Sequence, residues 1–133
     1  MIQEHVAKLM RGIDIGLGCS VVTGTKQNLK SVKDSLKIKL ADDNIFVTDI
    51  ELDSNDIALN LSERANDFII LTGLEALSPK DNLTYAIRSF LDRAKHENLM
   101  FIIFCETSYY AAHFNDYNAP FYQFCPQFPV IEA

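Results

Sequence analysis

The residues best suited to chemistry stand together in the segment Gly24-Thr-Lys-Gln-Asn-Leu29-Lys30-Ser31, directly after a short apolar run. The pattern G-x-x-x-x-G-K-[ST], opening a helix after a strand, binds nucleotide phosphates. Its backbone N–H groups surround phosphate oxygens, its lysine adds positive charge, and its hydroxyl ligates Mg²⁺. The segment therefore predicts phosphate-binding positions at Gly24, Thr25, Lys26, Lys30 and Ser31, with Ser31 also a metal ligand.

Leu29 is the departure from this pattern, because it stands where the second glycine belongs. Glycine lets the backbone approach a phosphate closely, and a side chain obstructs that approach. The alternative interpretation of Lys30 and Ser31 is that they are ordinary exposed residues in the first turn of a helix.

Alternating strand and helix patterns surround this segment. Helical spacing of apolar residues is found over 2–10, 29–40, 57–65 and 83–94, with Gly12 a candidate helix end and 109–114 a candidate short helix. Runs that are apolar throughout predict strands at Cys19–Thr23, Ile45–Thr48, Phe68–Leu71, Met100–Phe104 and Pro129–Ile131. An acidic turn is predicted from Asp49 to Asp53. We expect an α/β three-layer sandwich, with a five-stranded, mainly parallel sheet and helices on both faces.

The composition is that of one domain spanning residues 1–133. The chain is 48% hydrophobic and 23% charged, with no repeat or low-complexity tract. No run approaches the roughly 20 apolar residues that cross a bilayer. The first residues lack the pattern of a secretory signal. The sequence therefore predicts a cytoplasmic protein without a membrane segment.

In strand order and spacing, most of the chain resembles the ASCE class of P-loop NTPases, which includes AAA+ and RecA-like proteins. The resemblance implies strand order 5-1-4-3-2 and the ligands ATP and Mg²⁺. It implies that Thr72 takes the place of a magnesium-binding Asp and Gly73 that of a catalytic Glu. Thr107 or Ser108 takes the place of a polar sensor residue, and Gln123 that of an arginine finger.

Three departures, at Leu29, Thr72 and Gln123, make the chain similar to degenerate ATPase subunits. The leading prediction is a subunit that acts through protein–protein interaction, with weak or no hydrolysis. Its partner would be a second copy or an active ATPase. The alternative is an ATP-binding protein or ATPase completed by a neighbouring subunit. A third hypothesis is an interaction module of another fold, such as a flavodoxin-like one.

Charge and cysteine spacing limit other functions. The net charge of −6 argues against direct nucleic-acid binding. Five lysines between residues 26 and 39 are interpreted as a solvated helix face. The cysteines form no C-x-x-C pair, so their spacing indicates neither a zinc site nor a redox motif. Cys105 could act as a nucleophile with His113 as its base, but the favoured interpretation is a core cysteine and a surface histidine.

The last third of the chain is rich in aromatic residues. These side chains could stack on a base, but core packing or partner contact fits an acidic protein better. The cluster consists of Tyr109, Tyr110, Phe114, Tyr117, Phe121, Tyr122, Phe124 and Phe128.

Overall fold

The fold is built on a five-stranded sheet in which every described pair of neighbouring strands is parallel. The computed structural model describes residues 2–14, 18–45, 47–51, 68–74, 82–96, 99–115 and 125–130. The strands lie in the order β2-β3-β4-β1-β5. They are β1 (Cys19–Gly24), β2 (Val47–Glu51), β3 (Phe68–Thr72), β4 (Met100–Glu106) and β5 (Gln127–Pro129). This order confirms the predicted one. Because β1 lies between β4 and β5, it also excludes the flavodoxin-like alternative.

Helices cover both faces of the sheet. The helices α1 and α2 pack on one face through Val6, Leu9, Val32 and Leu36, while α3 packs on the other through Ile87 and Leu91. The π-helical turn joins α3 on that second face. The helical elements are α1 (Ile2–Asp14), α2 (Lys26–Asp42), α3 (Asn82–His96), α4 (Thr107–Tyr110) and a π-helical turn at Ala111–Asn115. The predicted three-layer α/β class is confirmed.

The central strands are apolar on both sides because both sides are covered. In β3, Phe68 and Ile70 belong to the core under α1 and α2, while Ile69 and Leu71 belong to the core under α3. Successive side chains of a strand point to opposite faces, so a strand between two helical layers needs apolar residues at every position. This requirement explains why the apolar run at 68–71 predicts the strand well.

The C-terminal end of α2 is closed by a left-handed residue, Asn44, at φ 61°. The Asn44 N–H donates to the Ala41 carbonyl at 3.0 Å, and the Ile45 N–H donates to the Leu40 carbonyl at 2.9 Å. This bonding pattern satisfies the last carbonyls of the helix and folds Ile45 back onto the core. It sets the direction in which the chain enters β2.

The second strand differs from its prediction. The acidic turn expected from Asp49 is wrong for its first residues, because the strand runs through Asp49 to Glu51. Only Ile50 of this strand is buried. An edge strand exposes much of its surface and tolerates charged residues. A search for apolar runs therefore does not predict its full length.

Other boundaries move by a few residues. The helix α1 continues past Gly12 to Asp14, and β4 extends to Glu106. The strand β5 begins at Gln127 and ends at Pro129, earlier than predicted. The expected short helix begins at Thr107 and continues as the π-helical turn. The predicted helix at 57–65 and Gln123 lie outside the described residues.

Candidate functional site

The carboxyl edge of the sheet brings four of the predicted site residues together. In the register of β1 and β4, Gly24 lies beside Glu106. Thr25 and Lys26 follow Gly24, and Thr107 follows Glu106, so these positions are neighbours at one edge. Ligands of parallel α/β sheets bind at this edge. Thr25, Lys26 and Thr107 are exposed there.

The loop expected between Gly24 and Lys30 is reduced to Thr25. Thr25 is the N-cap of α2, with φ −75° and ψ 159°, and its Oγ1 accepts a hydrogen bond from the Asn28 N–H at 3.2 Å. The helix begins at Lys26. A capping hydroxyl satisfies a backbone donor that a phosphate would otherwise use. The backbone of this segment therefore follows a helix and does not curl around an anion.

Leu29 explains why the helix begins so early. Its side chain is buried in the core under α1 and α2, and its N–H donates to the Thr25 carbonyl at 2.9 Å. A Cβ placed on Gly24 would lie 3.6 Å from Leu29 Cδ2 and 3.4 Å from Val130 Cβ. Leu29 and Val130 thus fill the space above the end of β1. Anchoring Leu29 in the core holds the first turn of α2 against the strand.

Lys30 and Ser31 lie further along the helix than the other predicted residues. Four residues separate Lys30 from Lys26, which is about 6 Å along a helix axis. Lys30 Nζ lies 3.2 Å from Asp34 Oδ2, and the Lys30 side chain is 79% exposed. Ser31 is also exposed. The fold therefore does not place these two side chains in the first turn of the helix.

The predicted magnesium position at Thr72 lies at the end of β3, with β4 between β3 and β1. Thr72 is half-buried, and the next residue, Gly73, has φ 87°. Within the described ranges, no three side chains of His, Cys, Asp or Glu gather into a group that could hold a metal ion. ATP and Mg²⁺ stay predictions for this chain.

The basic face of α2 is partly an ion-pair cluster. Lys33 Nζ lies 3.1 Å from Asp49 Oδ1, and Lys37 Nζ lies 2.9 Å from Asp49 Oδ2. The Lys37 hydrogen bond to Asp49 raises the pKa of that ammonium group. Only 14% of the Lys33 side chain is exposed. Lys26, Lys30, Lys37 and Lys39 are exposed as predicted, and Lys33 is not; Lys33 and Lys37 join α2 to the edge strand β2.

The thiol near the carboxyl edge belongs to the core. Cys105 is buried, and its Sγ donates to the Glu106 carbonyl at 3.6 Å. The expectation of a core cysteine is confirmed for Cys105. The expectation of a surface histidine is wrong, because His113 is 1% exposed. A buried thiol in apolar surroundings is a poor nucleophile.

The aromatic cluster divides between core and surface. Phe114 is buried and stacks on Tyr110, with ring centroids 5.2 Å apart and an interplanar angle of 11°. Burial raises the pKa of the Tyr110 hydroxyl. Tyr109 is 44% exposed at the start of the segment. Tyr117, Phe121, Tyr122 and Phe124 lie outside the described residues.

A small cavity lies at the opposite edge of the sheet. It measures about 70 Å³ and lies between α1 and the sheet, lined in part by Lys8, Gly12, Ser20, Met100 and Phe128. Ligand pockets are typically a few hundred cubic ångströms. This cavity is too small for a nucleotide.

A pair of cysteines lies near the amino edge of the sheet, and their spacing in the sequence did not predict it. Cys19 opens β1 and Cys125 precedes β5, and the two thiols are joined by a hydrogen bond that lowers the pKa of Cys19. More than one hundred residues separate them along the chain. Only the strand pairing brings them together, so no local motif could have revealed them.

Comparisons with known proteins found no matching protein-family model, no matching curated protein and no matching solved structure. Among the described helices, none is both long and apolar enough to cross a membrane.

Proposed function

We propose that this chain is a degenerate P-loop NTPase-like subunit that acts through contact with a protein partner, with weak or no nucleotide hydrolysis. The proposal joins two features of the fold. The strand order agrees with the one that the resemblance implies. The segment that would bind phosphate begins as a helix at Lys26.

The early start of α2 carries the proposal. A phosphate loop needs several consecutive backbone N–H groups that converge on one anion. Here Thr25 Oγ1 accepts one of those N–H groups, and the Leu29 N–H donates to the Thr25 carbonyl. The Lys30 ammonium pairs with Asp34. Two of these backbone N–H groups and the Lys30 ammonium are therefore engaged within α2.

Calorimetric titration with ATP and MgCl₂ tests the absence of nucleotide binding. We expect no saturable heat at millimolar ATP for the wild type. Lys30→Ala should behave identically, as should the control Lys39→Ala, an exposed lysine in the last turn of the same helix. Saturable heat that Lys30→Ala abolishes and Lys39→Ala keeps would overturn the proposal. That result would favour the ATP-binding alternative.

The exposed aromatic residues at the carboxyl edge support the partner contact. Tyr109 in α4 and Tyr85 near the start of α3 are 44% and 47% exposed. Tyrosine is enriched in protein interfaces, where it supplies apolar area and a polar tip. A second copy of the chain is the partner that the purified protein can test.

Light scattering over a range of protein concentrations measures that self-association. We expect the mass to rise with concentration, and Tyr109→Ser to weaken the association about tenfold, as for the loss of a central aromatic contact. Ile38→Ser is the control, because Ile38 is 64% exposed but lies about 18 Å along α2 from Lys26. Equal weakening by both variants would contradict a contact centred on the carboxyl edge. A monomer at every concentration would remove the second-copy form of the proposal.

A further inference from the structure

The parallel pairing of β1 with β5 places two thiols beside each other. The register pairs Val21 with Gln127, and the Val21 N–H donates to the Pro126 carbonyl at 2.9 Å. Cys19 lies two residues before Val21, and Cys125 lies two residues before Gln127, in the bend that leads into β5; extending the register therefore predicts that the two cysteines are neighbours. Neighbouring strands lie about 4.8 Å apart, within the range of roughly 4.4–6.8 Å between the Cα atoms of a disulfide.

Both side chains point to the same face of the sheet. Cys125 belongs to the core cluster under α3, and Cys19 packs against that cluster. Cys19 is half-buried and thus reachable from solvent, while Cys125 is 7% exposed. One thiol is accessible and the other lies behind it.

The surroundings of Cys19 favour its thiolate. The hydrogen bond from Cys125 is the largest of the effects that lower the pKa of Cys19, and burial opposes it. The charge of Lys95 and a hydrogen bond from it also lower this pKa, so that together these effects bring it to about 6. Lys95 lies near the C-terminal end of α3. The thiolate is the nucleophilic form of cysteine.

We propose that Cys19 and Cys125 form a redox-active dithiol that exchanges with small-molecule disulfides of the glutathione class and closes a reversible disulfide between β1 and β5. This dithiol does not depend on whether nucleotide binds at the carboxyl edge of the sheet, because it lies at the amino end of β1.

The exchange has two steps. The Cys19 thiolate attacks one sulfur of glutathione disulfide, forming a mixed disulfide and releasing one glutathione thiolate. Cys125 gives up its proton, and its thiolate attacks the Cys19 sulfur, forming the Cys19–Cys125 bond and releasing the second glutathione. Two protein thiols lose two electrons and two protons, and one glutathione disulfide becomes two glutathione thiols.

The first step prepares the second. In the reduced pair, the hydrogen bond to Cys19, burial, and the Cys19 charge raise the pKa of Cys125. The mixed disulfide removes the thiolate, and with it both contributions from Cys19. Lys95 and Arg88 still lower the pKa of Cys125. Cys125 therefore ionises more readily once Cys19 has reacted.

Closing the disulfide would fix the edge strand β5. This strand has only three residues, and the Val130 N–H donates to the Thr23 carbonyl at 2.7 Å beside it. Gln127 Nε2 donates to Thr23 Oγ1 at 3.0 Å. A covalent bond at Cys125 would tie the chain entering β5 to the start of β1. Oxidation would thus hold the segment that packs next to Gly24.

Mass spectrometry after incubation with glutathione disulfide tests the dithiol. We expect the wild type and Cys105→Ser to gain an internal Cys19–Cys125 disulfide. Cys125→Ser should instead accumulate one glutathione adduct at Cys19, and Cys19→Ser should form neither product. Failure of the wild type to form the bond, or an adduct on Cys105 in its place, would overturn the proposal.

Alkylation by iodoacetamide tests the role of Lys95 as a positioning residue. A thiol of pKa about 6 should react roughly tenfold faster at pH 6 than one of pKa about 8.5, after allowance for its weaker nucleophilicity. Lys95→Gln should move the pH midpoint of Cys19 alkylation upward. The control Arg93→Gln, an exposed cation on the same helix, should leave it unchanged. Equal midpoints for the wild type and Lys95→Gln would contradict the assignment of Lys95.

Discussion

Leu29→Gly, which restores the second glycine of the phosphate-binding pattern, is expected to lower the free energy of unfolding by about 3–5 kcal/mol. Leu29 is 7% exposed and packs in the core under α1 and α2. Removing a buried leucine side chain costs its transfer free energy and leaves a cavity. Glycine also adds a backbone entropy cost within the helix. The consensus residue would therefore damage this fold.

Urea denaturation followed by circular dichroism measures this loss. Gln27→Gly is the matched control, because Gln27 is an exposed residue of the same helical turn. It carries only the backbone cost, about 1 kcal/mol or less. Leu29→Met should cost less than about 1.5 kcal/mol, since it nearly conserves volume. Leu29→Ala supplies an intermediate loss if the glycine variant does not fold.

The comparison of Leu29→Gly with Gln27→Gly decides between two functions of the segment. Equal losses would mean that the Leu29 side chain contributes little and that the first turn of α2 can open. Saturable ATP binding gained by Leu29→Gly would also indicate that the first turn of α2 can open. A loss confined to Leu29→Gly, with no ATP binding, supports a segment whose role is to anchor α2.

The central strands were predictable because they are apolar throughout, whereas their order in the sheet was predicted only from the resemblance to P-loop NTPases. Phe68–Thr72 and the first five residues of Met100–Glu106 carry the signal of strands buried on both faces. The edge strand β2 was placed too early, since Asp49 and Glu51 belong to a strand whose charges pair with Lys33 and Lys37. Runs of apolar residues predict buried strands, and edge strands bury few of their side chains.

The site was less predictable than the sheet. The motif match at Gly24, Lys30 and Ser31 depends only on the spacing of these residues along the chain. The position of Lys30 and Ser31 in space depends on where the helix begins, and the burial of Leu29 decides that. The pairing of Cys19 with Cys125 depends on the register of β1 and β5. Neither fact is contained in a local pattern.

Gly73→Glu, which places an acid where the resemblance expects a catalytic glutamate, is expected to lower the free energy of unfolding by about 1–3 kcal/mol. Gly73 follows β3 with φ 87°, in the left-handed region. A side chain there brings Cβ into conflict with the backbone, which glycine avoids. This backbone conformation gives a physical reason for glycine at the position.

Urea denaturation of three variants separates the backbone effect from the charge. Gly73→Ala should lose about 1–2 kcal/mol, and Gly73→Asn less, because asparagine tolerates the left-handed region better. Gly18→Ala is the control: a Cβ there meets nothing within 4 Å, and Gly18 has no left-handed φ. It should change stability by less than about 1 kcal/mol. If Gly73→Glu were as stable as Gly18→Ala, the end of β3 could accept an acidic residue, and the absence of an acid at position 73 would need an explanation other than backbone conformation.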